Sequence, residues 1–459
     1  MRTNKCSQKR NKENKKMRIQ LSDHFTYPWL LRFVVSPVLM MVFTSLYSII
    51  DGFFVSNFVG KQPFAAVNLV MPIAMGIGTI GFMIGTGGSA VVSKTLGEGK
   101  KELANRYFSL LVYAALFLSI LVSAVSYIFA PQIADRLGAS GELKEYCVTY
   151  SRILFLAEPA FVLQNVFQNF FVTAEKPGLS LKVSILAGLT NAVLDFVFIV
   201  VFPWGISGAA LATAMGQVVG AVIPVVYFAG KNDSLLHLTK APVYGKVLVQ
   251  TFANGSSEMV SNLSGSIVNI LYNFQLMRIA GEDGVAAYGV IMYANFVFLA
   301  VFIGYSIGSA PIVSYHYGAG NYGELKNLCK KSMILMGSAG VLMTVLAEVF
   351  SAPLVGAFAG YDEGLFAMTC RGFQLYSLCF LMMGFNVWGS AFFTALNNGV
   401  VSAAISFLRT FIFQIVFVFL LPILLQINGI WLSVVAAEAL ALTVTIWFIV
   451  TKRKVYHYL

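Results

Sequence analysis

Of the 459 residues, 58% are A, V, I, L, M, F, W, Y or C and only 11% are charged, against about 25% charged and 45–50% apolar in a soluble domain. With a mean hydropathy of +0.77, this excludes a water-soluble globule, a disordered chain and a collagen-like fibre, and leaves an integral membrane protein. The net charge of +11 does not point to nucleic acid: eight of the 31 Lys and Arg crowd the first 18 residues, and most others lie in short loops, the distribution of a topology signal near anionic lipid.

A helix needs about 20 apolar residues to cross the hydrocarbon core. Twelve such segments are expected in chain order, at 29–58, 63–93, 107–130, 147–173, 178–201, 205–228, 247–278, 285–315, 331–355, 366–396, 399–425 and 428–450. Breakers and charges separate them, among them Gly60-Lys61-Gln62-Pro63, Lys176-Pro177-Gly178, Pro203-Trp204-Gly205 and Asn397-Asn398-Gly399. The apolar runs are continuous rather than alternating, which excludes a β-barrel. The basic start leads into the first span without a small-residue cleavage site, so that span reads as uncleaved. With the N-terminus inside, 23 Lys and Arg fall on the inner side and five on the outer, which predicts cytoplasmic termini and an even span count.

The halves resemble each other at a shift of 221 residues. AAVNLVM (65–71) lies over AAYGVIM (286–292), VVSKTLGEGK (91–100) over IVSYHYGAGN (312–321), TAEKPG (173–178) over TALNNG (394–399) and ISGAALA (206–212) over INGIWLS (427–433). Six spans per half start both halves on the same side. The predicted fold is therefore an all-α integral membrane protein of twelve transmembrane helices, in two six-helix lobes related by a parallel pseudo-two-fold repeat. The predicted organisation is a basic cytoplasmic tail (1–25), a first lobe (26–228), a cytoplasmic linker (229–246), a second lobe (247–450) and a short cytoplasmic tail (451–459). Internal repeats of this kind mark secondary transporters, whose lobes alternate access by rocking.

Charges inside spans are costly and point to function. Asp51 in span 1 and Asp195 in span 5 lie eight or nine residues before the same outer boundary, hence at similar depth. Tyr47 and Asn191 each stand four residues earlier, on the same helix face as their Asp. Such a pair loads and releases a proton, or ligates a small hard cation with Asn and Thr oxygens. Glu258 in span 7 sits among Gly255, Ser256 and Ser257 and is a candidate for substrate or cation binding. Glu438 aligns with Gln217 at the repeat shift, and Arg409 falls in the inner part of span 11. An interior richer in carboxylates than in Arg suits cationic cargo, and aromatic walls add cation–π attraction. Pro37 in span 1 is a candidate gating kink. There is no GxxxxGK[ST] sequence, so direct ATP drive is not expected, and the nominal GxGxxG at 76–81 lies inside a span, where it serves helix packing. The five Cys are scattered, with no CxxC pair.

The twelve spans, the Asp51 segment, Asn191 with Asp195, and the turn from Gly205 to Thr213 together resemble the multidrug and toxic compound extrusion (MATE) family. The wording around span 5 and near Gly97 and Gly318 is most similar to its bacterial MepA-like and DinF-like branch. The resemblance implies export of organic cations or amphiphilic drugs in exchange for H⁺ or Na⁺, without a cofactor. It implies an ion site at Asp51, Asn191, Asp195 and Thr213, with Tyr47, Tyr150 and Asn165 as hydrogen-bonding or cavity-lining companions. Some members add a second-lobe acid pair in spans 7 and 10. Glu258 matches the first of these, but 373–396 contains no Asp or Glu, which favours coupling through the first lobe. The competing readings are a flippase for a lipid-linked envelope precursor, whose pyrophosphate calls for several interior Arg or Lys, and a membrane receptor or lipid-modifying enzyme, for which no acid–His cluster speaks. One chain supplies both lobes, so a monomer suffices.

Overall fold

Backbone amides in hydrocarbon have no water to turn to, so each crossing segment must satisfy them internally as a helix. The computed structural model describes residues 19–360 and 362–459, and no strand occurs among them. The basic stretch 1–18 and Cys6 lie outside the described residues.

The first lobe comprises α1 (Tyr27–Phe54), α2 (Lys61–Gly97), α3 (Lys101–Ile128), the short α4 (Ala130–Arg136), α5 (Gly141–Thr173), α6 (Pro177–Asp195) and α7 (Gly205–Ala229). The second comprises α8 (Gly245–Gly318), α9 (Tyr322–Ala359), α10 (Glu363–Ser377), α11 (Phe380–Ala395), α12 (Gly399–Phe407), α13 (Phe413–Leu425) and α14 (Ile427–Tyr456). The 74-residue α8 is two crossings in series, broken at Gly281, whose φ of 65° is open to glycine at no steric cost. The break falls between the expected spans 247–278 and 285–315.

The expected span 366–396 is present but bent. It is two helices, α10 and α11, meeting at 48° across Leu378 and Cys379. Counting α8 as two crossings and this bent pair as one gives twelve. Among the described residues three π-helical turns interrupt the spans: Val55–Val59 after α1, Phe196–Val201 after α6 and Leu408–Ile412 between α12 and α13.

The buried apolar side chains form several clusters. One fills the second lobe around Phe302, Trp388 and Trp431 and takes in Phe25, Leu30, Phe33 and Val34 at the start of the first. The first lobe has separate clusters, one around Phe108, Phe167, Phe170 and Phe228 and another around Val55, Ala66, Tyr150 and Ile199. Between these two lies a belt of polar residues.

The lobes meet most closely toward the face that carries the N-terminal end of α1. A Cβ at Gly255 would overlap the Met83 carbonyl and one at Gly97 the Tyr315 carbonyl, while α8 crosses α1 where a Cβ at Gly304 would lie 2.5 Å from the Val38 α-carbon. Lys94 stands over the Tyr317 ring, 5.3 Å from its centroid. The segment before α1 bridges both lobes. The Leu21 amide donates to Glu175 Oε1 at 2.7 Å in the first lobe. The Phe25 amide donates to Glu324 Oε1 at 2.9 Å in the second, and His24 Nδ1 lies 2.6 Å from Glu324 Oε2. Leu21 and Phe25 are fully buried.

Gly255→Val places branched carbons where α2 backbone now sits. Interiors pack too tightly to absorb this locally. The expected result is a longer distance between spin labels at Lys101 and Tyr322, with loss of transport. An unchanged distance with full transport would show slack in the contact.

Candidate functional site

Asp51 and Asp195 come together in the polar belt of the first lobe. Asp51 stands one turn before the first π turn, and Asp195 is the last residue of α6, immediately before the second. The two π turns pack against each other. A π turn widens the helix and redirects the side chains beside it, and such turns concentrate at functional sites. Asp51 is 8% exposed and Asp195 0%, so neither is a solvated surface charge.

Asp195, Asn191 and Thr213 are the polar neighbours of Asp51. Yet among the described residues Asp51 Oδ1, both carboxylate oxygens of Asp195, Asn191 Nδ2 and Thr213 Oγ1 have no partner at hydrogen-bonding geometry. A buried polar group left unpaired costs about 1–3 kcal/mol, and a charge more. Four oxygens and one amide N–H group converging from α1, α6 and α7 form an acidic cluster whose oxygens can accept a proton or face a small cation. The sequence placed the two acids at equal depth on separate helices, and the fold closes the gap between them.

The companions divide. Tyr47 lies within electrostatic reach of Asp51, and its ring covers Gly188 on α6. Tyr150, on α5, is buried within reach of both acids. Asn165 packs against Gly81 on α2, and its Nδ2 donates to the Phe161 carbonyl at 3.0 Å. It thus lies at the α2–α5 contact. Pro37 sits within an unbroken α1, beside the crossing at Gly304.

The second lobe treats its charges differently. Arg409, on the third π turn, donates from Nε to Glu438 Oε1 at 2.8 Å. Asn386 donates to Glu438 Oε2 at 2.7 Å and to its carbonyl at 2.9 Å, and Thr445 donates to Asn386 Oδ1 at 2.9 Å. Glu258 feels the charge of Arg409 from α8. At the positions matching Asp51 and its surroundings, Tyr272 donates to Gln414 Oε1 at 2.8 Å and stacks on Tyr288. This network is closed, whereas the one in the first lobe is open. The Arg409–Glu438 pair, 29 positions apart on two helices, escaped the sequence reading. An arginine and an acid alone in neighbouring spans were the signal for it.

The MatE family profile matches the chain twice, over residues 37–197 and 259–420. The protein belongs to the MatE family. The two matches begin 222 residues apart, in step with the internal repeat. Among MatE-related proteins, the multidrug export protein MepA of Staphylococcus saprophyticus is 22% identical over 411 residues, 89% of this chain and 87% of MepA. A crystal structure of MATE in complex with MaL6 superposes with a TM-score of 0.89 at 21% identity, covering 94% of this chain and 97% of that one. A MOP-superfamily transporter from Pyrococcus furiosus, described as having a binding pocket of reverse polarity that suggests a different function, gives 0.86 at 22% identity, covering 93% and 96%. These structures share the two-lobed fold.

Proposed function

We propose that this MatE protein is an antiporter of a bacterial cytoplasmic membrane that exports organic cations or amphiphilic drugs in exchange for H⁺ or Na⁺. The observation that carries the reading is the buried, unpaired constellation of Asp51, Asp195, Asn191 and Thr213. Coupling ion and cargo compete for negative charge there: an ion entering the pair removes the attraction that holds a cation in the cleft. Tyr47 and Tyr150 stand beside the same acids, and Glu258 supplies a further carboxylate on the opposite lobe.

In this reading residues 26–228 and 247–450 rock as two bodies about the 229–246 linker, with Pro37 at the crossing that must give. The face bearing the start of α1 and the end of α14 is cytoplasmic, and the close approaches at Gly97, Gly255 and Gly304 close the cleft on that side. The export of drugs by MepA supports the cargo class.

A flippase for a pyrophosphate-linked precursor is the alternative. It needs free interior cations, and the interior Arg409 is already engaged by Glu438. The test is uptake of ethidium into proteoliposomes under separately imposed pH and Na⁺ gradients. Uptake driven by one gradient and not the other names the coupling ion. No uptake under either gradient would overturn the organic-cation reading.

A further inference from the structure

The polar belt does not end at the acid pair. Gln217 follows Thr213 by one turn of α7, on the same face. One turn further, a Cβ at Gly220 would lie 2.6 Å from Gln164 Cδ and 2.8 Å from its Oε1, so the Gln164 amide rests directly on the α7 backbone. Among the described residues the side-chain oxygens of Gln164 and Gln217 are buried without a partner. One turn beyond Gln164 on α5, Gln168 Nε2 donates to Ser184 Oγ on α6 at 3.2 Å. α5 and α7 both run toward the face that holds the closed inter-lobe contacts, and α6 runs away from it. The order Asp51/Asp195, Gln217, Gln164, Gln168/Ser184 therefore descends from the acid pair toward that closed face, through the inside of one lobe.

A lipid-embedded lobe has no packing need for successive buried amides. Leucine fills similar volume without desolvation cost. Neutral amides with spare acceptors hold internal water instead, and buried water gathers where two to four such groups converge.

We propose that Gln217, Gln164 and Gln168 with Ser184 form a hydrated track that carries the coupling ion between the Asp51–Asp195 pair and the closed face, within the first lobe and separate from the cargo cleft. A proton crosses along ordered water held by the amides. A sodium ion passes between their carbonyl oxygens. Either way, cargo and ion leave the acids by different routes. This role in ion passage rests on the antiport reading, while the hydration of the track does not.

Two measurements separate the two ideas. In a cysteine-free background, Ser184→Cys is expected to react with a small water-soluble methanethiosulfonate reagent, and the Gln164→Leu/Gln217→Leu double variant to slow that reaction at least tenfold. In proteoliposomes the same double variant is expected to slow gradient-driven ethidium transport at least fivefold, with its equilibrium affinity for ethidium within twofold of the parent. Gln217→Asn, which keeps an amide, is expected to restore part of the rate. Inert Ser184→Cys, or full transport in a normally folded double-leucine protein, overturns the track. A reactive Ser184→Cys in a protein that shows no gradient-driven transport sinks the antiport reading and leaves the hydration standing.

Discussion

Asp195→Asn is expected to reduce gradient-driven export to the level of protein-free vesicles and, in the same molecule, to raise the melting temperature. Asp195 is fully buried beside a second carboxylate, with both oxygens unpaired. Asparagine keeps the shape and removes the charge, so it relieves like-charge repulsion and desolvation that folding must otherwise offset. It also removes the group whose charge the coupling ion controls. Loss of tenfold or more in rate corresponds to about 1.4 kcal/mol or more of barrier. The opposed signs are the informative part, since sites held for function are where stability is given up. A variant that is less stable and still transports would mean that the acid is a structural hydrogen-bonding group.

The opposite pattern is expected in the second lobe. Arg409→Met leaves Glu438, 2% exposed, without its cation, and leaves Glu258 without the positive charge that now faces it. Removing one partner of a buried ion pair costs about 3–5 kcal/mol, whereas replacing both by apolar groups is often nearly neutral. Arg409→Met should therefore lower the melting temperature and the yield of folded protein sharply. The double variant Arg409→Met/Glu438→Met should recover most of both. Thermal unfolding of the two variants in detergent checks this. Equal damage in single and double variants would show that Asn386 and Thr445 depend on the carboxylate as much as the arginine does.

Much of this architecture was legible because lipid imposes simple rules. Apolar runs of about 20 residues, the Lys and Arg asymmetry and the 221-residue repeat all follow from composition and spacing. The approach of Asp51 to Asp195 was legible only as equal depth, because helix packing decides which faces meet. Asn165 entered through the family resemblance rather than through depth, and the fold sets its side chain against Gly81 on α2. The bend at Leu378 and Cys379 has no Gly or Pro to announce it. The three π turns have no breaker residue either, although each carries or follows an intramembrane charge. Arg409 and Glu438 lie on neighbouring spans, and only helix packing decides that they face each other.

The bridge ahead of α1 also bears on how the protein is made. Phe25 and His24 are synthesised about 300 positions before their partner Glu324. Until α9 emerges, Leu21 and Phe25 have no complete pocket, so the first lobe must be assembled with its leading segment still undocked. Contacts this distant along a chain form late and slowly. Docking of residues 21–25 is thus a closing event in biogenesis, one that joins two lobes folded in succession. Protection of this segment from protease would report that both are in place.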